Sequence, residues 1–114
     1  MAENMLLQTR DVGDWTVVEV KGEIDLYTAP RLKELLTDLT SRGKNRVAVT
    51  FEGVEFMDST GLGVLISGLK RCREGGGTLA LAAPTEPVRK VLSITGLDKV
   101  FDIRDDVSEI TGGS

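Results

Sequence analysis

The stretch VAVTFEGVEFMDSTGLGVLISGL, Val47 to Leu69, carries a strand, a junction and a helix in one run. Val47-Ala48-Val49-Thr50-Phe51 has the β-branched, apolar composition of a strand. Leu62, Leu65, Ile66 and Leu69 fall at i, i+3, i+4 and i+7, which predicts one apolar helix face. Between them lies Phe56-Met57-Asp58-Ser59-Thr60-Gly61-Leu62-Gly63. Asp58 or Ser59 offers the short side-chain oxygen that caps a helix N-terminus. Gly61 and Gly63 fall at the start of the helix, where glycine costs about 1 kcal/mol against alanine. Two glycines so close predict that a partner surface or a neighbouring loop approaches the backbone there.

The same alternation of strand and helix extends both ways. Upstream, Trp15-Thr16-Val17-Val18-Glu19-Val20 follows a Gly13-Asp14 turn, which predicts a hairpin with Leu6-Leu7-Gln8-Thr9. Leu32, Leu35, Leu36 and Leu39 predict a helix over 30–42, with Thr28 or Ala29 as cap, Pro30 in the first turn and Gly43 as its end. Downstream, Gly75-Gly76-Gly77 stops the second helix, and Thr78–Ala83, apolar on both faces, predicts a strand covered on both sides, or on one side with close packing. A third helix starts near Thr85, with Pro87 in its first turn and Val88, Val91 and Leu92 on its apolar face. Gly96-Leu97 closes it, and Val100-Phe101-Asp102-Ile103 reads as a last strand. The order β-β-α-β-α-β-α-β predicts an α/β fold, with a mixed, mostly parallel sheet and crossover helices. One domain spans 1–114, with a core from about 6 to 103 and a frayed tail over 104–114.

Composition removes several function classes. The chain has 114 residues, 40% hydrophobic, with a formal net charge of −4 and no basic segment that would neutralise nucleic-acid phosphates. It contains no histidine and one cysteine, Cys72, so the commonest general base, zinc ligation and an intramolecular disulfide are all unexpected. Cys72 follows Leu69 on the helix and reads as buried, not reactive. The start Met1-Ala2-Glu3-Asn4 lacks the character of a signal peptide, and no apolar run reaches the roughly 20 residues needed to span a bilayer. A cytoplasmic protein with no membrane association, no cofactor and no metal is expected. Gly75-Gly76-Gly77 follows a helix and lacks the order of a nucleotide loop, so it reads as a turn. The acidic Asp102, Asp105, Asp106 and Glu109 lack calcium-loop spacing and read as a solvated surface.

By chemistry alone Ser59 is a residue at a helix start, with no histidine to activate it as a nucleophile. The segment from Phe56 to Leu65, however, closely resembles the phosphorylation-site segment of the STAS-domain anti-sigma factor antagonists. Gly22-Glu23-Ile24-Asp25 with Thr28-Ala29 resembles that family's early loop. Gly76-Gly77-Thr78-Leu79 and Val91-Leu92-Ser93-Ile94-Thr95-Gly96-Leu97 resemble its later strand and helix, so the likeness covers about Leu6 to Ile103. The resemblance implies a partner switch. The unmodified protein binds an anti-sigma factor that is also a serine kinase, and so frees the sigma factor. Phosphorylation at Ser59 abolishes binding, and a PP2C-type phosphatase resets the protein. It implies no enzyme activity, a monomer or weak dimer, and a partner-binding surface of Gly22, Glu23, Asp25, Tyr27, Thr28, Asp58, Thr60, Gly61, Leu62 and Gly63. A non-switching STAS scaffold or regulatory subunit of a larger assembly is the alternative. A nucleotide hydrolase is disfavoured by the lack of a P-loop, histidine and metal cluster.

Overall fold

In a computed structural model, residues 4–113 are described. Residues 1–3, part of the Met1–Asn4 start expected not to be a signal peptide, and residue 114 lie outside them. Five strands form one sheet in the order β1-β2-β3-β4-β5, with β1 Met5–Val12, β2 Trp15–Ile24, β3 Arg46–Met57, β4 Thr78–Ala82 and β5 Ile103–Arg104. β1 and β2 are antiparallel across the Gly13-Asp14 turn, and the other pairs are parallel. The helices α1 Ala29–Ser41, α2 Ser59–Glu74 and α3 Glu86–Thr95 each connect adjacent strands. Because every crossover steps the same way across the sheet, a common handedness puts all three helices on one face. A single apolar cluster confirms it: Leu32, Leu36 and Leu39 of α1, Leu65 and Leu69 of α2, and Val88 and Leu92 of α3 pack with Val18, Val49, Phe51 and Leu81 of the strands.

Alternation sends Val17, Ala48, Ala80 and Ala82 to the opposite face, and these are buried too. The C-terminal segment lies on that side. It holds a helical turn, α4 Ser108–Thr111, with Val107 and Ile110 half-buried, and a Cβ on Gly113 would stand 3.5 Å from Val12 Cγ1. Within the segment read as a frayed tail, Ser108–Thr111 thus form a helical turn.

Other boundaries also moved. β2 and β3 run on in parallel to Ile24 and Met57, well beyond the expected ends at Val20 and Phe51. Ile66 is exposed at 37%, and the buried face of α2 is completed by Val64, Gly68 and Cys72. Gly68 admits Leu36 and Leu79, whose methyls would come within 2.9 and 3.0 Å of a Cβ there. Of the expected strand over Val100–Ile103 only Ile103 lies in β5; Val100 follows a 3-10 turn at Leu97–Lys99, and Phe101 is buried outside any strand. Gly96 caps α3 in the left-handed region as expected, at φ 78°. The run Gly75–Gly77 is a fitted turn: Asn45 Nδ2 donates to the Gly75 carbonyl at 3.2 Å, and a Cβ on Gly77 would sit 2.0 Å from the Asn45 carbonyl oxygen.

Candidate functional site

The junction before α2 is held from both sides. β3 ends at Met57, and the Asp58 N–H donates to the Ile24 carbonyl at 3.1 Å, which ties the junction to the end of β2. Asp58 is extended, at φ −105° and ψ −176°, and its Oδ1 accepts from the Thr60 N–H at 2.9 Å. Asp58 is thus the helix cap, and Ser59 is the first helical residue. Ser59 is exposed, and among the described residues its hydroxyl has no hydrogen-bond partner. Thr60 is half-buried beside it.

The two glycines prove different. Gly61 is buried, and a Cβ there would meet Ile24 Cγ2 at 2.7 Å and Met57 Cγ at 2.9 Å, so its close neighbours are the ends of β2 and β3. Gly63 is exposed, and a Cβ there would meet nothing within 4 Å. Leu62 points into the core at 4% exposure.

The loop after β2 is braced by its own polar groups. Asp25 Oδ1 accepts from the N–H groups of Tyr27 and Thr28, at 2.9 and 3.0 Å. The buried Thr28 hydroxyl accepts from the Asp25 N–H at 2.9 Å and donates to the Glu23 carbonyl at 2.9 Å. The carboxylate of Asp25 is therefore engaged inside its own loop. The brace leaves Leu26 and Tyr27 standing out, 64% and 85% exposed. Gly22 and Glu23 serve the β1–β2 join: Gly22 has φ +98°, and the Glu23 N–H donates to the Asn4 carbonyl at 2.7 Å.

The structure brings Asp58, Ser59, Thr60, Gly63 and Tyr27 to the C-terminal ends of β2 and β3, the edge expected from their positions after strands. Gly22, Glu23, Asp25, Thr28, Gly61 and Leu62 shape that edge from within. Sequence reading passed over Leu26 and Phe56, the latter 46% exposed just before the junction. Their signal was available: apolar side chains in a loop, or on the polar stripe of a strand, have no core position to fill. No group of three or more His, Cys, Asp or Glu residues among the described residues is placed to hold a metal. The acidic patch is engaged: Arg104 pairs with Asp102 at 2.9 Å, Arg89 with Asp105 at 2.8 Å, and Ser108 with Asp106. Among the described residues no helix is long and apolar enough to cross a membrane. Cys72 is fully buried, and desolvation pushes its thiol up to about 11.

Residues 6–110 match the STAS domain family. The anti-sigma-B factor antagonist of Staphylococcus epidermidis is 32% identical over 102 residues, covering 90% of this chain and 94% of that protein. The crystal structure of an anti-sigma factor antagonist from Mycobacterium paratuberculosis superposes with a TM-score of 0.85 at 26% identity, covering 93% of this chain and 90% of that one. The Bacillus protein SpoIIAA, 22% identical, has this fold in its unphosphorylated form, with a TM-score of 0.79 over 96% of this chain and 99% of that one. Its phosphorylated form has the fold too, with a TM-score of 0.72 over 92% and 96%. The sheet order, the Asp58-capped junction with its free serine, and these similarities agree: the chain belongs to the STAS domain family, among relatives that are anti-sigma factor antagonists.

Proposed function

We propose that this protein is an anti-sigma factor antagonist switched by phosphorylation of Ser59. The observation that carries the reading is an exposed serine hydroxyl without an internal partner, at the first position of α2, on the same edge as exposed Leu26, Tyr27 and Phe56. In the unmodified protein this edge binds an anti-sigma factor, and the sigma factor is released. The anti-sigma factor is also the kinase: the ATP γ-phosphoryl group passes to the Ser59 oxygen as the β–γ phosphoanhydride bond breaks, ADP leaves, and the hydroxyl proton is lost. A PP2C-type phosphatase removes the phosphate. The chain acts in the cytoplasm as substrate and ligand, not as an enzyme.

Electrostatics supports a switch without refolding. A phosphate adds about −1.5 to −2 charges near neutral pH. At a helix N-terminus the dipole and unpaired N–H groups tolerate it, so α2 persists. Toward a partner the same charge, beside the Asp58 carboxylate, must be desolvated in the interface. A loss of about 2.8 kcal/mol already weakens binding a hundredfold.

The test is incubation with a candidate anti-sigma kinase and ATP, with mass spectrometry to locate the phosphate and Ser59→Ala as control. One phosphate on Ser59, absent from the variant, is expected. The phosphorylated protein and Ser59→Asp should bind at least about a hundredfold more weakly. Phosphate on another residue, or equal binding by the modified forms, refutes the proposal.

A further inference from the structure

The sheet ends on two unlike edges. β5 is two residues long, whereas β1 runs for eight, with no strand beyond it among the described residues. Gln8, Thr9, Arg10 and Asp11 are all exposed. Sheet edges are normally guarded by shortness, lysine, proline or a bulge, because an open row of N–H and C=O groups recruits another strand. β1 has none of these: it contains no Lys or Pro, and its register with β2 is unbroken. Its charged residues meet partners within the chain, Arg10 with Glu19 at 3.1 Å and Asp11 with Lys44 at 3.0 Å.

The hairpin fixes which backbone groups stand open. Val12 faces Trp15 across the Gly13-Asp14 turn, and at the other end the Glu23 N–H donates to the Asn4 carbonyl at 2.7 Å. Hydrogen-bonded pairs alternate along an antiparallel ladder, so the even-numbered residues of β1 turn their backbone groups to β2. Leu7, Thr9 and Asp11 turn theirs outward. The Met5 carbonyl obeys the same rule and accepts from Arg31 Nη1 at 2.9 Å. Side chains alternate as well: Met5 and Leu7 pack toward the helices, and Leu6 stands 65% exposed on the other face.

We propose that the outer edge of β1 pairs antiparallel with β1 of a second copy, about a two-fold axis at Thr9, and joins the two sheets into one. This register sets Thr9 opposite itself and Leu7 opposite Asp11, so each open N–H meets an open carbonyl. On the outer face it sets the exposed Leu6 against Val12 and Gln8 against Arg10, with no like charges directly opposed. A shift of two residues one way opposes Arg10 to Arg10. The same shift the other way opposes Leu6 to Arg10 and leaves the leucine unmatched. The edge is therefore complementary to itself, which is what a two-fold contact requires. Ser59 follows β3, two strands in from this edge, so the pairing leaves both serines open. A contact along one strand buries less than the roughly 1,200 Å² of a standard interface, so the dimer is transient and fills at about 10–1,000 µM.

Sedimentation equilibrium of the purified chain over that concentration range tests this. Wild type should pass from monomer to dimer, and exchange of the Leu7, Thr9 and Asp11 amides should slow as it does. Thr9→Pro deletes the central outward N–H, a place where an edge strand accepts proline, and should remain a monomer throughout. Thr9→Lys and Thr9→Glu change an exposed side chain on the two-fold axis, so they keep the test sound if proline unfolds the strand. Each alone should weaken the dimer about fivefold through like charges face to face, and an equal mixture of the two should recover it as a heterodimer. A wild type that stays monomeric to about 1 mM would overturn the proposal. So would a dimer that both charge variants leave intact, or a mixture no tighter than its components. Amides of β1 that become protected only when an anti-sigma factor is added would assign the edge to that partner and overturn it as well.

Discussion

Gly22→Ala separates what the resemblance attributes to binding from what the fold demands. Gly22 stands at φ +98°, outside the regions open to a residue with a side chain, and such strain costs about 1–3 kcal/mol. A Cβ there would lie 1.9 Å from the Asn4 carbonyl oxygen, so that oxygen must move. It accepts the Glu23 N–H at 2.7 Å, a bond worth about 1 kcal/mol. The next residue, Met5, is buried in the core, and its carbonyl is held by Arg31 Nη1 at 2.9 Å. Partial loss of Met5 burial adds up to about 1.5–3 kcal/mol. The variant should therefore lose about 3–5 kcal/mol, a large share of the stability of a domain this size. At about 4 °C per kcal/mol, the melting temperature drops by about 12–20 °C. Thermal scans followed by circular dichroism, with urea titration at constant m, measure it. Well below its own midpoint the variant should still bind its partner. A midpoint within about 4 °C of wild type would refute the steric reasoning.

Thr28→Val removes the hydroxyl that joins the Asp25 N–H to the Glu23 carbonyl; a loss of about 2 kcal/mol in urea unfolding and faster chymotryptic cleavage at Tyr27 are expected. Cys72, with its thiol raised to about 11 and fully buried, should ignore thiol reagents at pH 8 in the folded protein and react at once in denaturant. Asp11 is held below its ordinary value of 3.8, first by its hydrogen bond from Lys44 and then by that from Thr16. A depressed carboxyl contributes stability that is complete above 3.8 and lost as pH falls through the lower folded value. The stability advantage of wild type over Asp11→Asn should therefore shrink on acidification, and a gap that widened instead would contradict the pairing.

A free serine after an acidic residue is, by itself, weak ground for a regulatory site, since such residues cap many helices. Tertiary structure removes that bland role from Ser59. Asp58 already supplies the capping oxygen, so the serine hydroxyl is left with no structural duty. Thr28 shows the opposite case. Its resemblance to a contact residue is explained by a buried hydroxyl that braces the loop presenting Leu26 and Tyr27.

The alternation of strands and helices was legible in the chain because each element announces itself locally. Val47–Phe51 carries a strand's composition, Leu62, Leu65 and Leu69 carry a helix's period, and Gly96 marks a helix end. The position of Ser59 at a strand-to-helix junction followed from the same local signals. The extension of β2 and β3 to Ile24 and Met57, and the shortness of β5, did not, because pairing depends on what lies alongside and not on propensity. The approach of the tail to Val12 could not be recognised, since it joins residues far apart in the chain. The division of labour between Gly61 and Gly63 was equally hidden. Both are glycines in one helical turn, and only the packed ends of β2 and β3 decide that one faces Ile24 and the other open solvent.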